Sequence, residues 1–448
     1  MKNDDAQFKK MTEESIPRLI ASLSVPTVIS MLVTSVYNMA DTYFVSRLGT
    51  SASGAVGVVF SLMAIIQAVG FAIGMGSGSL ISRLLGQQKE DEATEIASSA
   101  IFMGIGLGII LAAIASIKIN DLMLIFGATE TILPYAVSYA RYIIFGAPVM
   151  MGSFIMNNIL RSQGRAKYAM IGIGFGGVLN VVLDPLFIFT FNMGTAGAAI
   201  ATLVSQCVSF LILLACFLTG KSAAKLKITK MSRSPKKYLM ILKTGLPSLS
   251  RQGLSSVATM LLNRNARIYG DAAVAAMSIV GKIFMIIFAV LIGIGQGFQP
   301  VAGFNYGAKR FDRVKKAFVF TLLMGGAVMI IMGTPVYFCA DWLMERFTKG
   351  DADVVKIGKT ALRLQCLALP LIPISTVCNM TYQTTGKSWT ATLLSGARQG
   401  LFFIPLIMIL PAKFGIFGLQ LSQPLADLLA SLFCVPFGIK FLHELKRK

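Results

Sequence analysis

The 448-residue chain is predicted to be an all-α polytopic membrane protein. About twelve transmembrane helices are expected, in two six-helix lobes related by pseudo-two-fold symmetry along the membrane normal. Three observations lead there. Of all residues, 55% are hydrophobic and only 14% charged, too apolar a balance for a soluble protein. Apolar stretches long enough to cross a bilayer recur along the whole chain. The sequence also repeats itself at about half its length.

Taken in order, the apolar stretches cover roughly 17–46, 54–82, 96–117, 134–160, 168–190, 196–218, 240–263, 273–304, 317–340, 357–383, 389–410 and 415–439. Helix is the expected form, because in lipid every backbone polar group must be satisfied within its own segment. The short alternating segments of a barrel are absent. Many of the 42 glycines fall inside spans, where small residues let helices approach closely. Gly172, Gly174 and Gly177 also fit G-x-G-x-x-G, but no strand precedes them and they lie in an apolar span, so they read as packing. The six cysteines sit in apolar stretches without paired spacing and read as helix packing. The only histidine, His443, lies in the basic tail, which leaves no His-based metal centre.

The formal net charge of +21 raises nucleic-acid binding as a reading. The distribution argues against it: most Lys and Arg fall in loops on the side of the termini. This positive-inside pattern puts both termini in the cytoplasm of a multi-pass protein of the cell (inner) membrane. The polar N-terminus shows no cleavable signal pattern. The basic stretch 220–243 reads as a cytoplasmic linker near anionic headgroups, joining an N-terminal lobe, 1–225, to a C-terminal lobe, 226–448.

The repeat rests on matched landmarks. At a shift of 221, Pro26 falls on Pro247, Gly49 on Gly270, Gly86 on Gly307 and Gly197 on Gly418. Asn157 and Gly164 match Asn379 and Gly386 at 222, and Pro185 matches Pro405 at 220. With a slip of two, GMGSG at 74–78 falls on GIGQG at 293–297. Each copy holds an even number of spans, so both run in the same direction, a parallel-repeat transporter design. The substrate path is then expected in a cleft between halves, worked by alternating access, and complete within a monomer.

Two carboxylates break the apolar pattern. Asp41 and Asp184 lie inside spans, where a charge costs a few kcal/mol or more. The second copy has Leu262 and Ile404 in their places. Counted from the turns, Asp41, Asp184 and Thr202 each lie about nine residues deep, roughly 13 Å at 1.5 Å per residue. Asn180 is one turn from Asp184 on the same helix face, and Tyr139 comes slightly higher. Such oxygens suit Na⁺, held by Asp41, Asn180, Asp184 and Thr202, while a close acid pair also suits a shared proton. The plain alternative is that each acid pairs with an unrelated base such as Arg141. Pro26 and Pro185 are candidate hinges.

The second half carries the opposite sign. Lys282, Arg251 and Arg398 lie inside spans, where Lys282 or Arg398 either binds an anionic group or pairs with Asp427. Tyr37, Met150, Met151, Phe154, Met260 and Met285 are candidates for a soft cleft surface tolerant of varied substrates.

The motifs YNMADTYFVSRLG (37–49), GMGSGSLISRLLGQ (74–87), NNILRSQGRAKYAM (157–170), VLNVVLDPLFIF (178–189) and GTAGAAIAT (194–202) resemble those of multidrug and toxic compound extrusion (MATE) transporters, in particular the DinF-like branch. GQGFQPVAGFNYGAKR (295–310) and TYQTTGK (381–387) match as well. The resemblance spans essentially 17–440. It implies a two-lobed antiporter that expels lipophilic, mostly cationic compounds in exchange for H⁺ or Na⁺, without a cofactor. It carries the family's coupling acids over to Asp41 and Asp184, their polar neighbours to Asn180 and Thr202, and the aromatic residue of the fourth helix to Tyr139. The sequence departs from the pattern in carrying Lys282 and Arg398. An alternative from a related branch is a flippase for lipid or lipid-linked glycans, which the basic residues fit and the acids do not. No H-E-x-x-H or G-x-x-x-x-G-K-[ST] motif points to an enzyme or to ATP.

Overall fold

The computed structural model describes residues 2–348 and 351–447 and is helical along nearly all of that length. Ten helical stretches among the described residues are long and apolar enough to cross a membrane. Two features separate that number from the twelve spans of the sequence. Ser388–Lys446 is one stretch holding the eleventh and twelfth spans on either side of Gly415, whose φ is 58°. The seventh span, Pro235–Arg267, carries Lys236, Lys237, Lys243, Arg251, Arg264 and Arg267, which lower its mean hydropathy.

The chain forms two compact units. The first consists of residues 1–9 and 25–245. Its spans are most of Ile16–Ser46, then Thr50–Gly86, Glu90–Ile117, Leu133–Ser162, Ala166–Pro185 and Gly194–Leu218. The fourth span is its hub. Ile143, Ile144, Ala147, Met150 and Met151 are buried there, in one cluster with Val59, Leu62 and Ile66 of the second span. The second unit consists of residues 10–24 and 246–448, around an equivalent cluster that includes Phe284, Leu291, Leu369 and Ile407.

The division falls at Gly245/Leu246 rather than near 225, because the linker is strapped to the first unit. Ser222 Oγ and the Ala223 N–H both donate to Gln163 Oε1, at 3.0 and 2.8 Å. The N–H groups of Lys225, Lys227 and Ser232 donate to Thr94, Ser98 and Ser99 of the third span. Lys237 pairs with Glu95 at 2.6 Å, and Lys230 with Asp91. Residues 11–14 are held within the second unit by Asn305, Arg310 and Arg313, whose side chains donate to the carbonyls of Met11, Thr12 and Glu14.

Backbone geometry carries the repeat. Gly127, Asn192 and Gly220 have no counterpart among the described residues, but the other positive φ angles come in pairs: Gly49 with Gly270, Gln88 with Lys309, Gly164 with Gly386, and Gly194 with Gly415. These are the turns after corresponding helices, where the left-handed region lets the chain reverse. The contacts also correct the slipped match of the glycine runs. Gly74 lies against Asn158 and Gly295 against Met380, while Gly76 lies against Gly245 and Gly297 against Ser24. Residues 74 and 76 therefore correspond to 295 and 297, at the common shift. Pro185 closes the fifth helix and is followed by a π turn, Leu186–Thr190. In the second half the π turn, Ala397–Phe403, precedes Pro405. All six cysteines are free, and four are buried as packing residues, whereas Cys339 is exposed and Cys207 half-buried.

A Cβ at Gly76 would sit 2.2 Å from the Ile241 carbonyl oxygen, and one at Gly297 would sit 2.6 Å from the Ser24 Cα. Gly76→Ala and Gly297→Ala should each lower stability by about 1–3 kcal/mol or more. Gly174→Ala, which meets nothing within 4 Å, should stay close to wild type. Thermal unfolding of the purified protein followed by thiol-reactive fluorescence would measure the difference.

Candidate functional site: a carboxylate pocket in the first unit

Asp41 comes from the first span, Tyr139 from the fourth, Asn180 and Asp184 from the fifth and Thr202 from the sixth. All five are buried. The Tyr139 hydroxyl donates to Asp41 Oδ2 at 3.1 Å. Asn180 Nδ2 donates to Asp184 Oδ1 at 3.2 Å and lies 3.4 Å from Thr202 Oγ1. The i, i+4 spacing of Asn180 and Asp184 makes the first contact a property of the helix itself. The second ties the fifth span to the sixth. Tyr139 lies within electrostatic reach of both aspartates, and Asp184 within reach of Asp41. Asp41, Asp184 and Thr202, which counting sets at one depth, lie with Tyr139 and Asn180 as their neighbours in the first unit.

The pocket is short of partners. Asp41 Oδ1, Asp184 Oδ2, Asn180 Oδ1 and Ser205 Oγ are buried without a hydrogen bond. Arg141 is exposed, and neither aspartate has a cationic partner among the described residues. Buried polar atoms are normally satisfied, so these oxygens are exceptions that ask for an explanation. No group of three or more His, Cys, Asp or Glu gathers among the described residues.

Beside these residues lies a small recess, whose lining includes Tyr37, Phe154, Asn180, Thr202, Ser205 and Gln206. Tyr37 and Phe154 thus join the polar cluster. Met150 and Met151 do not: they are packed in the hydrophobic cluster around the fourth span. Gly177 makes the approach of the first span possible, since a Cβ there would meet Val33 at 2.6 Å and Tyr37 at 3.2 Å. Ser205 escaped the sequence reading. Its signal was the recurrence of small polar residues at Thr202, Ser205 and Ser209, a helical spacing that marks one face of the sixth span.

In the second unit, Met260, Lys282 and Met285 are exposed. Asp427 is buried and pairs with Arg398 at 2.5 Å. Pro26 lies inside the continuous first helix, two residues after the boundary at Ser24, and Pro185 adjoins Asp184.

The MatE family profile matches residues 26–186 and 247–409, one match in each repeat. The multidrug export protein MepA of Staphylococcus aureus (strain MSSA476) is 26% identical over 430 residues, covering 96% of this chain and 94% of its own. A MATE solved in a straight and in a bent conformation superposes with TM-scores of 0.93 and 0.91 at 26% identity, over 98% of this chain and 99% and 98% of the solved chains. A MOP superfamily transporter from Pyrococcus furiosus, for which reverse polarity of the binding pocket suggests a different function, superposes with a TM-score of 0.92. It is also 26% identical, over 98% of both chains.

The two kinds of buried acid should respond oppositely to neutralisation. Asp184→Asn removes an uncompensated charge and should leave stability within about 1 kcal/mol of wild type, or raise it. Asp427→Asn strands Arg398 and should lower it by about 3–5 kcal/mol. Unfolding midpoints at pH 8 in sodium-free detergent would compare them.

Proposed function

The chain belongs to the MatE family and is a multidrug efflux transporter, and we propose that Asp41 and Asp184 carry its coupling ion, H⁺ or Na⁺. One observation carries this reading: Asp41 Oδ1, Asp184 Oδ2 and Asn180 Oδ1 are buried without hydrogen-bond partners. A proton satisfies such oxygens by turning an acceptor into a donor. A sodium ion satisfies them by direct ligation, with Thr202 Oγ1 as a further oxygen. Either way the ion removes the cost of a bare buried charge.

Export then follows from competition. The recess beside Asn180 and Thr202 is lined by Tyr37 and Phe154, and aromatic faces together with a nearby carboxylate suit lipophilic cations. A cationic compound and the coupling ion draw on the same negative charge, so each weakens binding of the other, the condition for exchange transport. Pro26 and Pro185 serve as the flexible points of alternating access. That a MATE has been solved in a bent and in a straight conformation supports this reading. The protein works as a monomer of the cell membrane with both termini in the cytoplasm, the basic linker facing anionic lipid headgroups. Met260, Lys282 and Met285 belong to its substrate-facing surface.

A flippase for lipid-linked glycans is the second reading. Arg251 and Lys282 favour it, as does the reverse pocket polarity of the Pyrococcus furiosus relative. The ion pair at Arg398 weakens it, because that charge is already balanced by Asp427.

Reconstituted vesicles with an imposed H⁺ or Na⁺ gradient and a cationic dye decide between these readings. Asp41→Asn and Asp184→Asn should reduce gradient-driven efflux to the level of empty vesicles while remaining monodisperse. Wild-type efflux from both variants would remove the assignment. The gradient that drives wild-type export identifies the ion.

A further inference from the structure

Thr202 and Gln206 line the recess of the first unit. At the shift that separates the two family matches, they correspond to Gln423 and Asp427 of the twelfth span. The repeat-related place in the second unit is filled. Arg398 Nε donates to Asp427 Oδ1 at 2.5 Å and Arg398 Nη2 to Oδ2 at 3.2 Å. Gln423 Nε2 donates to the same Oδ1 at 2.8 Å. The guanidinium carbon of Arg398 lies 3.9 Å from the centroid of the Phe288 ring.

We infer that Phe288, Gln423 and Asp427 form an organic-cation subsite in the second unit, and that Arg398 occupies it as a tethered cation. Guanidinium is planar, delocalised and weakly hydrated, so it stacks on an aromatic face as lipophilic cations do. The two partners of the pair are unequally buried. The Asp427 side chain has no exposed surface, whereas 21% of the Arg398 side chain is exposed. The acid is thus enclosed while the base reaches the surface, the arrangement in which the base can exchange. Gln423 keeps one hydrogen bond on Asp427 when Arg398 leaves, which lowers the cost of exchange. The π turn Ala397–Phe403 contains Arg398, and such widened turns reset the face a helix presents. At the same shift the first half has Gly177, which lines the recess and has no side chain to plug it.

The identity of the ligand rests on the reading of the chain as an exporter of organic cations. Binding rather than export is therefore the measurement, so that the two ideas fail separately. Full-length protein carrying Asp41→Asn, to silence the first-unit pocket, is titrated with ethidium by fluorescence anisotropy. Adding Arg398→Ala should create an ethidium site about tenfold tighter than any the parent shows. Adding Asp427→Asn as well should abolish it. Millimolar guanidinium chloride should raise the thermal midpoint of the Arg398→Ala protein saturably, and leave the parent and the Arg398→Ala/Asp427→Asn protein unchanged. Arg398→Gln, which keeps a neutral donor beside Asp427, replaces Arg398→Ala if the latter does not assemble. Equal ethidium binding with and without Arg398, together with no selective effect of guanidinium, would overturn the proposal and leave a purely structural ion pair.

Discussion

A carboxylate out of reach of water is tolerated when something answers its charge. At Asp427 the answer is built in, as Arg398 supplies two hydrogen bonds and Gln423 a third. At Asp41 and Asp184 the protein supplies only a phenol and an amide, and one oxygen of each acid is left bare. The rest of the first unit arranges itself around that deficit. Four spans deliver one or two side chains each to a single level, and the glycine at 177 brings the first span close enough to take part. Below and around them the fourth span fills the interior with aliphatic side chains, so the polar cluster has nowhere to relax.

The two halves show how a duplicated scaffold divides its labour. Turn geometry is retained pair by pair, down to left-handed residues at Gln88 and Lys309. Those positions are set by the need to reverse a helix in a few residues, and they leave little freedom. The polar residues on the fifth and sixth helices, and on their copies, are free to diverge because they decide function rather than fold. One copy kept an acid with no counter-charge, and the other acquired an acid with one.

Much of this was legible in the sequence, for physical reasons that differ by feature. The fixed rise of a helix makes depth a matter of counting, which sets Asp41, Asp184 and Thr202 at one level. The side chains of Asn180 and Asp184 meet because they lie on one helix. Rotation between helices is another matter. Nothing in the order of residues says that, of Met150 and Phe154, which share one core cluster, only Phe154 also reaches the recess. Nor could the strap be foreseen: Thr94, Ser98 and Ser99 look like ordinary small residues of a span until the linker donates to them. The glycine runs were aligned two residues out of step, since short repeated letters match equally well in several registers. Contacts at Asn158 and Met380 fix the true one.

The assignment of residues 10–24 to the second unit has a bearing on biosynthesis. Asn305, Arg310 and Arg313, which hold Met11, Thr12 and Glu14, leave the ribosome nearly three hundred residues later. The start of the chain must wait through the insertion of seven helices before its partners exist. Until then its carbonyls are served by water or by provisional neighbours. The first unit has all its residues once Gly245 has emerged, whereas the second keeps its opening segment waiting until the later half of the chain arrives.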